Sequence, residues 1–208
     1  MGIFLVTVLA LVGLLGPTLK SVDEVEKSDE VVSVVNTVNS FLQSSPDIAP
    51  GGSRFNAIFD AVSGDNYAIV YVFRQYEDAT STDLRLRVGF SAGESTAGTV
   101  IDPRAEIADF NNGAGPIYRV VLSASSVLPT PAGDETKYRS QDRADGVYTL
   151  NATLADYEEG YFAMEARIYS EDWSPNFDPN EFADGTPVTL AGFALREPDF
   201  TYNTAIVR

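Results

Sequence analysis

The segment TDLRLRVGF (residues 82–90) alternates apolar and polar side chains with a period of two. Leu84, Leu86 and Val88 fall on one side of an extended chain, and the two intervening arginines fall on the other. This alternation is typical of a β-strand with one face buried and the other in water. The segment therefore predicts a sheet that packs against a core.

Other segments share the composition or alternation of strands, and turn sequences rich in Gly, Asn and Asp separate several of them. We see no helical period between them, and 54–62 and 97–101 are further strand candidates. Seven to nine short strands of this kind predict an antiparallel β-sandwich or jelly roll. The other predicted strands are residues 66–75, 117–123, 147–155, 161–169, 186–195 and 199–207.

The N-terminus contains an uncharged apolar run, IFLVTVLALVGLLGPTL (residues 3–19). As a helix this run would be about 25 Å long, at the short end of the range for a membrane span. A cleaved secretory signal fits less well, because no basic residue precedes the run and no small-residue cleavage site follows it. A buried core helix is the other alternative. We expect a membrane or assembly anchor.

The segment after the run predicts a helix that continues to just before Pro46. Val31, Val35, Val38 and Leu42 are spaced by four, three and four residues, which places them in one apolar stripe. A stripe this short needs a partner surface, either the chain's own globular part or neighbouring subunits. We interpret it as an assembly seam.

The predicted fold is mainly β, with one long N-terminal α-helix and an antiparallel β-sandwich or jelly-roll head of about seven to nine strands. The segment DIAPGGSR (residues 47–54) is rich in Pro, Gly and Ser, which is typical of a linker. We therefore expect an N-terminal anchor and assembly helix, residues 1–46, and a β domain, residues 47–208.

The composition is strongly acidic. Among 208 residues, 30 Asp and Glu oppose 14 Lys and Arg, which gives a net charge of −16. Only Lys20, Lys27 and Lys137 are lysines. This composition resembles that of proteins from salt-loving archaea and their viruses, in which molar salt screens the repulsion between carboxylates. Nucleic-acid binding through phosphate neutralisation is not expected at this charge.

The chain has no Cys and no His. Disulfides, Cys/His zinc sites and catalytic centres that need a His base are therefore excluded. The lysines lie beside the N-terminal run or in a polar loop, so none is placed in a dry pocket as an activated nucleophile. Phosphate-binding and dinucleotide-binding motifs are absent. We expect no enzyme activity and no cofactor.

The acidic loop SEDWSPNFDPNEFADGTP (residues 170–187) has the densest carboxylate cluster. Asp178, Asn180 and Asp184 could offer oxygen ligands to calcium, but Phe182 stands at the third ligand position of an EF-hand pattern. A solvated loop with Asx-turns is the alternative. The aromatic residues of the loop predict that it packs onto the domain or onto another subunit.

The sequence Asn151-Ala152-Thr153 is an N-glycosylation sequon. It lies on the polar side of a predicted strand, where a glycan could stand in solvent. Glycosylation requires an extracytoplasmic domain, and a chance match is the alternative.

The apolar run from Ile3 to Leu19, which includes Pro17, is continued by the predicted helix and followed by a β-rich head. This layout resembles the type IV pilin-like proteins of archaea, including archaellins. The resemblance implies a filament subunit whose N-terminal helices bundle in the core while a β-sandwich faces outwards.

Two other functions fit the same features. One is a membrane-anchored capsid or spike protein of a halophilic membrane-containing virus, and the other is a membrane-tethered binding module. In each case the expected location is a membrane-anchored or extracellular surface assembly with its head outside the cytoplasm. The expected partners are copies of the chain itself and a membrane contacted through residues 3–19, with no nucleic acid.

Overall fold

The computed structural model describes residues 27–43, 54–63, 66–78, 80, 82–92, 110, 112–126, 138, 147–148, 150 and 152–208. The chain divides into two compact units, Met1–Thr37 and Val38–Arg208.

The described elements are three helices and five strands. Helix α1 covers 27–43. It is followed by α2 (Arg54–Val62), β1 (Ala68–Tyr76), β2 (Leu84–Ala92), β3 (Gly113–Ala124), β4 (Tyr161–Asp172), α3 (Leu190–Leu195) and β5 (Phe200–Val207).

The five strands form one antiparallel sheet in the order β2-β1-β3-β4-β5. Strands β2 and β5 are therefore its edges. The predicted sandwich or jelly roll of seven to nine strands is wrong, because the described strands make this single sheet. The β-rich character of the head and the positions of its five strands are confirmed.

The three central strands are buried on both faces. In the sheet register Tyr71, Arg119 and Tyr169 are neighbours on one face, which we call the loop face. Val70 and Val120 lie on the opposite face, which we call the helix face. Burial on both sides explains why β1 begins with a continuous apolar run instead of an alternating pattern.

Helices cover the helix face within the Val38–Arg208 unit. In α2, Phe59 packs edge-on against Phe162 of β4, with ring centroids 5.3 Å apart. Near the end of α1, Phe41 stacks on Phe90 of β2 at 6.3 Å. The loop face is covered instead by the acidic loop and α3, whose Phe193 is 1% exposed.

Three predicted strand positions are corrected. Residues 54–62 form α2, and 186–195 form a bend followed by α3. Within 147–155, the described residues form isolated bridges and a turn. The candidate strand at 97–101 lies outside the described residues. The described residues therefore contain one sheet and no second sheet to form a sandwich with it.

The predicted long N-terminal helix has no support in the structure. The described helices are short, and the first of them covers only 27–43. Residues 1–26, including the apolar run at 3–19, lie outside the described residues. Among the described helices, none combines the length and hydropathy that a membrane crossing requires.

Candidate functional site

Arg119 is the centre of a buried polar cluster that joins the sheet to the acidic loop. It lies in the middle of β3, between Tyr71 of β1 and Tyr169 of β4, and it is 0% exposed. A fully buried guanidinium requires partners for its charge and its N–H groups. The acidic loop supplies most of them.

Three backbone carbonyls of the loop accept hydrogen bonds from the guanidinium. Nη2 donates to Asp178 O and to Glu181 O, each at 2.6 Å, and Nη1 donates to Pro179 O at 3.1 Å. Hydrogen bonds from a charged donor are stronger than those from neutral ones. The backbone of the loop therefore surrounds the guanidinium of Arg119, which β3 holds in place.

Glu171, the penultimate residue of β4, balances this charge. Its Oε2 lies 2.9 Å from Arg119 Nε, and both side chains are at most 2% exposed. This N–H is not aimed along the contact, so the pair is an ion pair without an aligned hydrogen bond. Glu171 Oε1 accepts from Ala183 N at 2.9 Å, which ties the same carboxylate to the loop.

A second arginine extends the cluster to the surface. Arg196 Nη1 lies 2.7 Å from Asp184 Oδ2, and Arg196 Nη2 lies 3.8 Å from Glu171 Oε1. Both guanidinium groups lie near the ring of Phe182, Arg196 at 4.5 Å and Arg119 at 5.1 Å from its centroid. Such distances are favourable for cation–π attraction.

Burial changes the proton affinity of this cluster. It lowers the pKa of Arg119, against the opposing effects of Tyr71, Glu171 and Asp178. Burial also raises the pKa of Tyr71 to about 12, while the charge of Arg119 acts in the opposite direction. The Tyr71 hydroxyl donates to Pro179 O at 3.2 Å, so the neutral phenol helps to hold the loop.

Aromatic side chains fix the beginning of the loop. Trp173 Nε1 donates to Phe110 O, and its indole lies so close to Gly113 that a side chain at that position would collide with it. Phe177 packs on Phe110 with centroids 4.9 Å apart. The loop therefore folds back over the domain's own sheet.

The side chains of the predicted calcium ligands make hydrogen bonds within the loop. Asp178 Oδ1 accepts from the backbone and side-chain nitrogens of Asn180 at 2.8 and 3.0 Å. Asp184 Oδ1 accepts from Thr186 N at 2.9 Å, and hydrogen bonding with Thr186 lowers the pKa of Asp184. These are Asx-turns, and the carbonyls of Asp178, Pro179 and Glu181 accept hydrogen bonds from the Arg119 guanidinium. In the described part of the chain, no group of three or more acidic side chains is arranged to hold a metal.

The predicted assembly seam falls on α1. Val38 and Leu42 are 0% and 4% exposed in the single chain, whereas Val31 and Val35 are half-buried. In the same part of the helix, Asn39 Oδ1 accepts from Thr204 Oγ1 of β5 at 2.9 Å. The end of the stripe is therefore already used in packing within the Val38–Arg208 unit.

Asn151, the predicted glycosylation site, lies outside the described residues.

Sequence analysis did not single out Arg119. The available signal was one charge inside the apolar strand segment IYRVV (residues 117–121), since a charged residue in a doubly buried strand needs an internal partner. Its partners are mostly backbone carbonyls, which every residue has, so the residue types of the loop do not reveal them.

Comparisons with known proteins give no family for this chain. No protein-family model matches it, and neither the curated proteins nor the solved structures include a match.

Proposed function

We propose that this chain is a non-enzymatic structural subunit of a self-assembling extracellular surface structure, in the form of a pilus-like filament. The observation that carries the proposal is the uncharged run at residues 3–19 in a chain of net charge −16. Charge repels copies of the chain from one another, whereas burial of this run against neighbouring copies attracts them. A contact that joins different surfaces of successive copies generates an open helical polymer.

The arrangement of the acidic loop supports a structural role. Three of its carbonyls bind Arg119, and the aromatic rings of Phe177 and Phe182 pack inward. These carbonyl groups and aromatic rings, which could have contacted a ligand, hold the loop against the sheet instead. A rigid, acidic head of this kind is suited to exposure on the outside of a polymer at high salt.

Electron microscopy of native material tests the proposal. Cells are sheared in high salt, the released material is sedimented, and negatively stained particles are checked for this chain by mass spectrometry. Filaments containing the chain are expected. Round particles would replace the proposal with the virion function, and recovery only as a membrane-bound monomer would replace it with a tethered binding module.

A matched pair of variants tests the role of the run. Leu11→Asp places a charge in the middle of residues 3–19 and is expected to abolish filaments, because a carboxylate is costly to bury without a partner. Asn36→Asp adds the same charge on the exposed side of α1 and is expected to leave filaments intact. Filaments of normal length from Leu11→Asp would contradict the proposal.

A further inference from the structure

Strand β5 is an edge of the sheet that the described strands form. Its sequence FTYNTAIV (Phe200–Val207) has no charge, no Pro and no Gly. It pairs with β4 on one side, and no strand among the described residues pairs with its other side. Its loop-face residues Thr201, Asn203, Ala205 and Val207 are all exposed. An edge of this length with unpaired backbone groups is a template for another strand.

The opposite edge differs in its chemistry. Strand β2 has Arg85 and Arg87 on its loop face, and Arg85 Nη2 lies 2.9 Å from Glu77 Oε2. Charged side chains of this kind oppose edge-to-edge pairing. The two edges are therefore not equivalent, and only β5 is chemically suited to strand addition.

We propose that β5 pairs antiparallel with β5 of a second copy of this chain, so that two five-stranded sheets join across a two-fold axis at Thr204. In this register Thr201 lies opposite Val207 of the second copy, and Tyr202 lies opposite its Ile206. The pairing is isologous, as in most homodimers. The contact involves only the Val38–Arg208 unit, whereas the proposed function depends on residues 3–19. The β5 contact therefore goes beyond the proposed function and does not depend on it.

The uncharged sequence of β5 makes this strand the place where a second copy of the same acidic chain can pair. Two chains of net charge −16 repel each other over most of their surfaces, but β5 is an uncharged strip on each. The pairing also covers apolar surface, because Val207 is 75% exposed and Phe200 is 44% exposed.

Symmetry selects the antiparallel orientation. A two-fold axis perpendicular to the sheet keeps the loop faces of both copies on the same side, so residues of one face meet residues of the same face. A parallel pair of identical strands related by a two-fold axis would place the loop face of one copy beside the helix face of the other. The tyrosine and isoleucine side chains of the helix face would then lose their cross-strand partners.

Disulfide cross-linking tests the register directly, because the full chain has no native Cys. Thr201→Cys and Val207→Cys variants are mixed, oxidised in high salt and analysed on non-reducing gels. Opposite residues in an antiparallel pair have Cα atoms about 5 Å apart, within the range that a disulfide spans. The mixture is expected to give a cross-linked heterodimer.

Each variant alone is the matched control. Two copies of the same position are six residues out of register, about 20 Å apart along the strand, so neither variant alone should cross-link above background. A mixture that gives no more dimer than the single variants would overturn the proposal. Efficient self-cross-linking of Thr201→Cys would also overturn it, because that result requires parallel strands or an antiparallel register centred on Thr201.

A charge on the edge provides a second readout. Ala205→Lys places two lysines near the two-fold axis, and it is expected to weaken dimerisation at least about tenfold in sedimentation velocity of the full chain. Leu86→Lys adds the same charge to the exposed part of β2 and should leave the dimer unchanged. Equal effects of the two variants would overturn the assignment to β5. Filaments that persist in Ala205→Lys would leave the proposed function standing while the β5 dimer is lost.

Discussion

Replacement of Arg119 by Met should release the acidic loop from the sheet. Methionine fills much of the same volume but removes the 2.9 Å partner of Glu171, which keeps only the longer 3.8 Å contact with Arg196. The side chains of Arg119 and Glu171 are at most 2% exposed. Removing one member of a buried ion pair costs about 3–5 kcal/mol. For a chain of 208 residues this corresponds to a fall of about 6–20 °C in the thermal midpoint.

Trp173 gives this experiment a local probe. It is the only tryptophan in the chain, and it lies at the start of the loop with its indole N–H bonded to Phe110 O. Urea and thermal unfolding of Arg119→Met and the wild-type chain are followed by circular dichroism and by tryptophan emission. In the variant, we expect red-shifted emission and stronger acrylamide quenching before global unfolding.

Two controls isolate the buried ion pair. Arg85→Met removes an exposed pair with Glu77, whose side chains are 55% and 45% exposed, and should change stability by at most about 1 kcal/mol. The double variant Arg119→Met, Glu171→Leu removes both charges and should recover part of the loss, although Ala183 N then lacks its acceptor. If Arg119→Met costs less than about 1 kcal/mol and Trp173 emission is unchanged, the account of the cluster is wrong.

Two further predictions concern salt and pH. The thermal midpoint of the full chain should rise between about 0.1 and 3 M NaCl, because salt screens the repulsion of a net charge of −16; equal midpoints would contradict the halophile-type interpretation. The folded state holds the Tyr71 proton more tightly than the unfolded state, because burial raises the pKa of Tyr71 to about 12. The stability that depends on this proton should therefore be fully present below about pH 10 and should be lost as the pH rises towards 12. Tyr71→Phe should lose about 1 kcal/mol at pH 8, where its hydroxyl bonds Pro179 O, and should show a shallower loss between pH 10 and 12. Urea midpoints across that pH range provide the test, and identical slopes for both chains would refute it.

The sequence was sufficient to predict the five strands of the sheet, but the strand predictions at 54–62, 147–155 and 186–195 were wrong. The apolar run of β1 reports local burial, because both faces of that strand are covered. The alternation in β2 predicted a strand correctly but not its buried face, since Leu84 and Leu86 are 45% and 54% exposed. The same sequence contains a helical signal that the strand prediction missed. Phe55, Ile58, Phe59 and Val62 follow the spacing i, i+3, i+4, i+7, and they lie in α2.

Only the tertiary structure decided what covers the sheet. A doubly buried strand has the same apolar sequence whether its cover is a second sheet or a layer of helices and loops, so the pattern could not distinguish a sandwich from the observed single sheet. The same limit applies to the cluster around Arg119. Residues 52 or more positions apart in the chain meet there, and its main acceptors are backbone carbonyls that every residue possesses. The sequence by itself determined the charge, the excluded Cys and His chemistry and the positions of the five sheet strands, whereas tertiary packing alone placed a buried cation under the acidic loop.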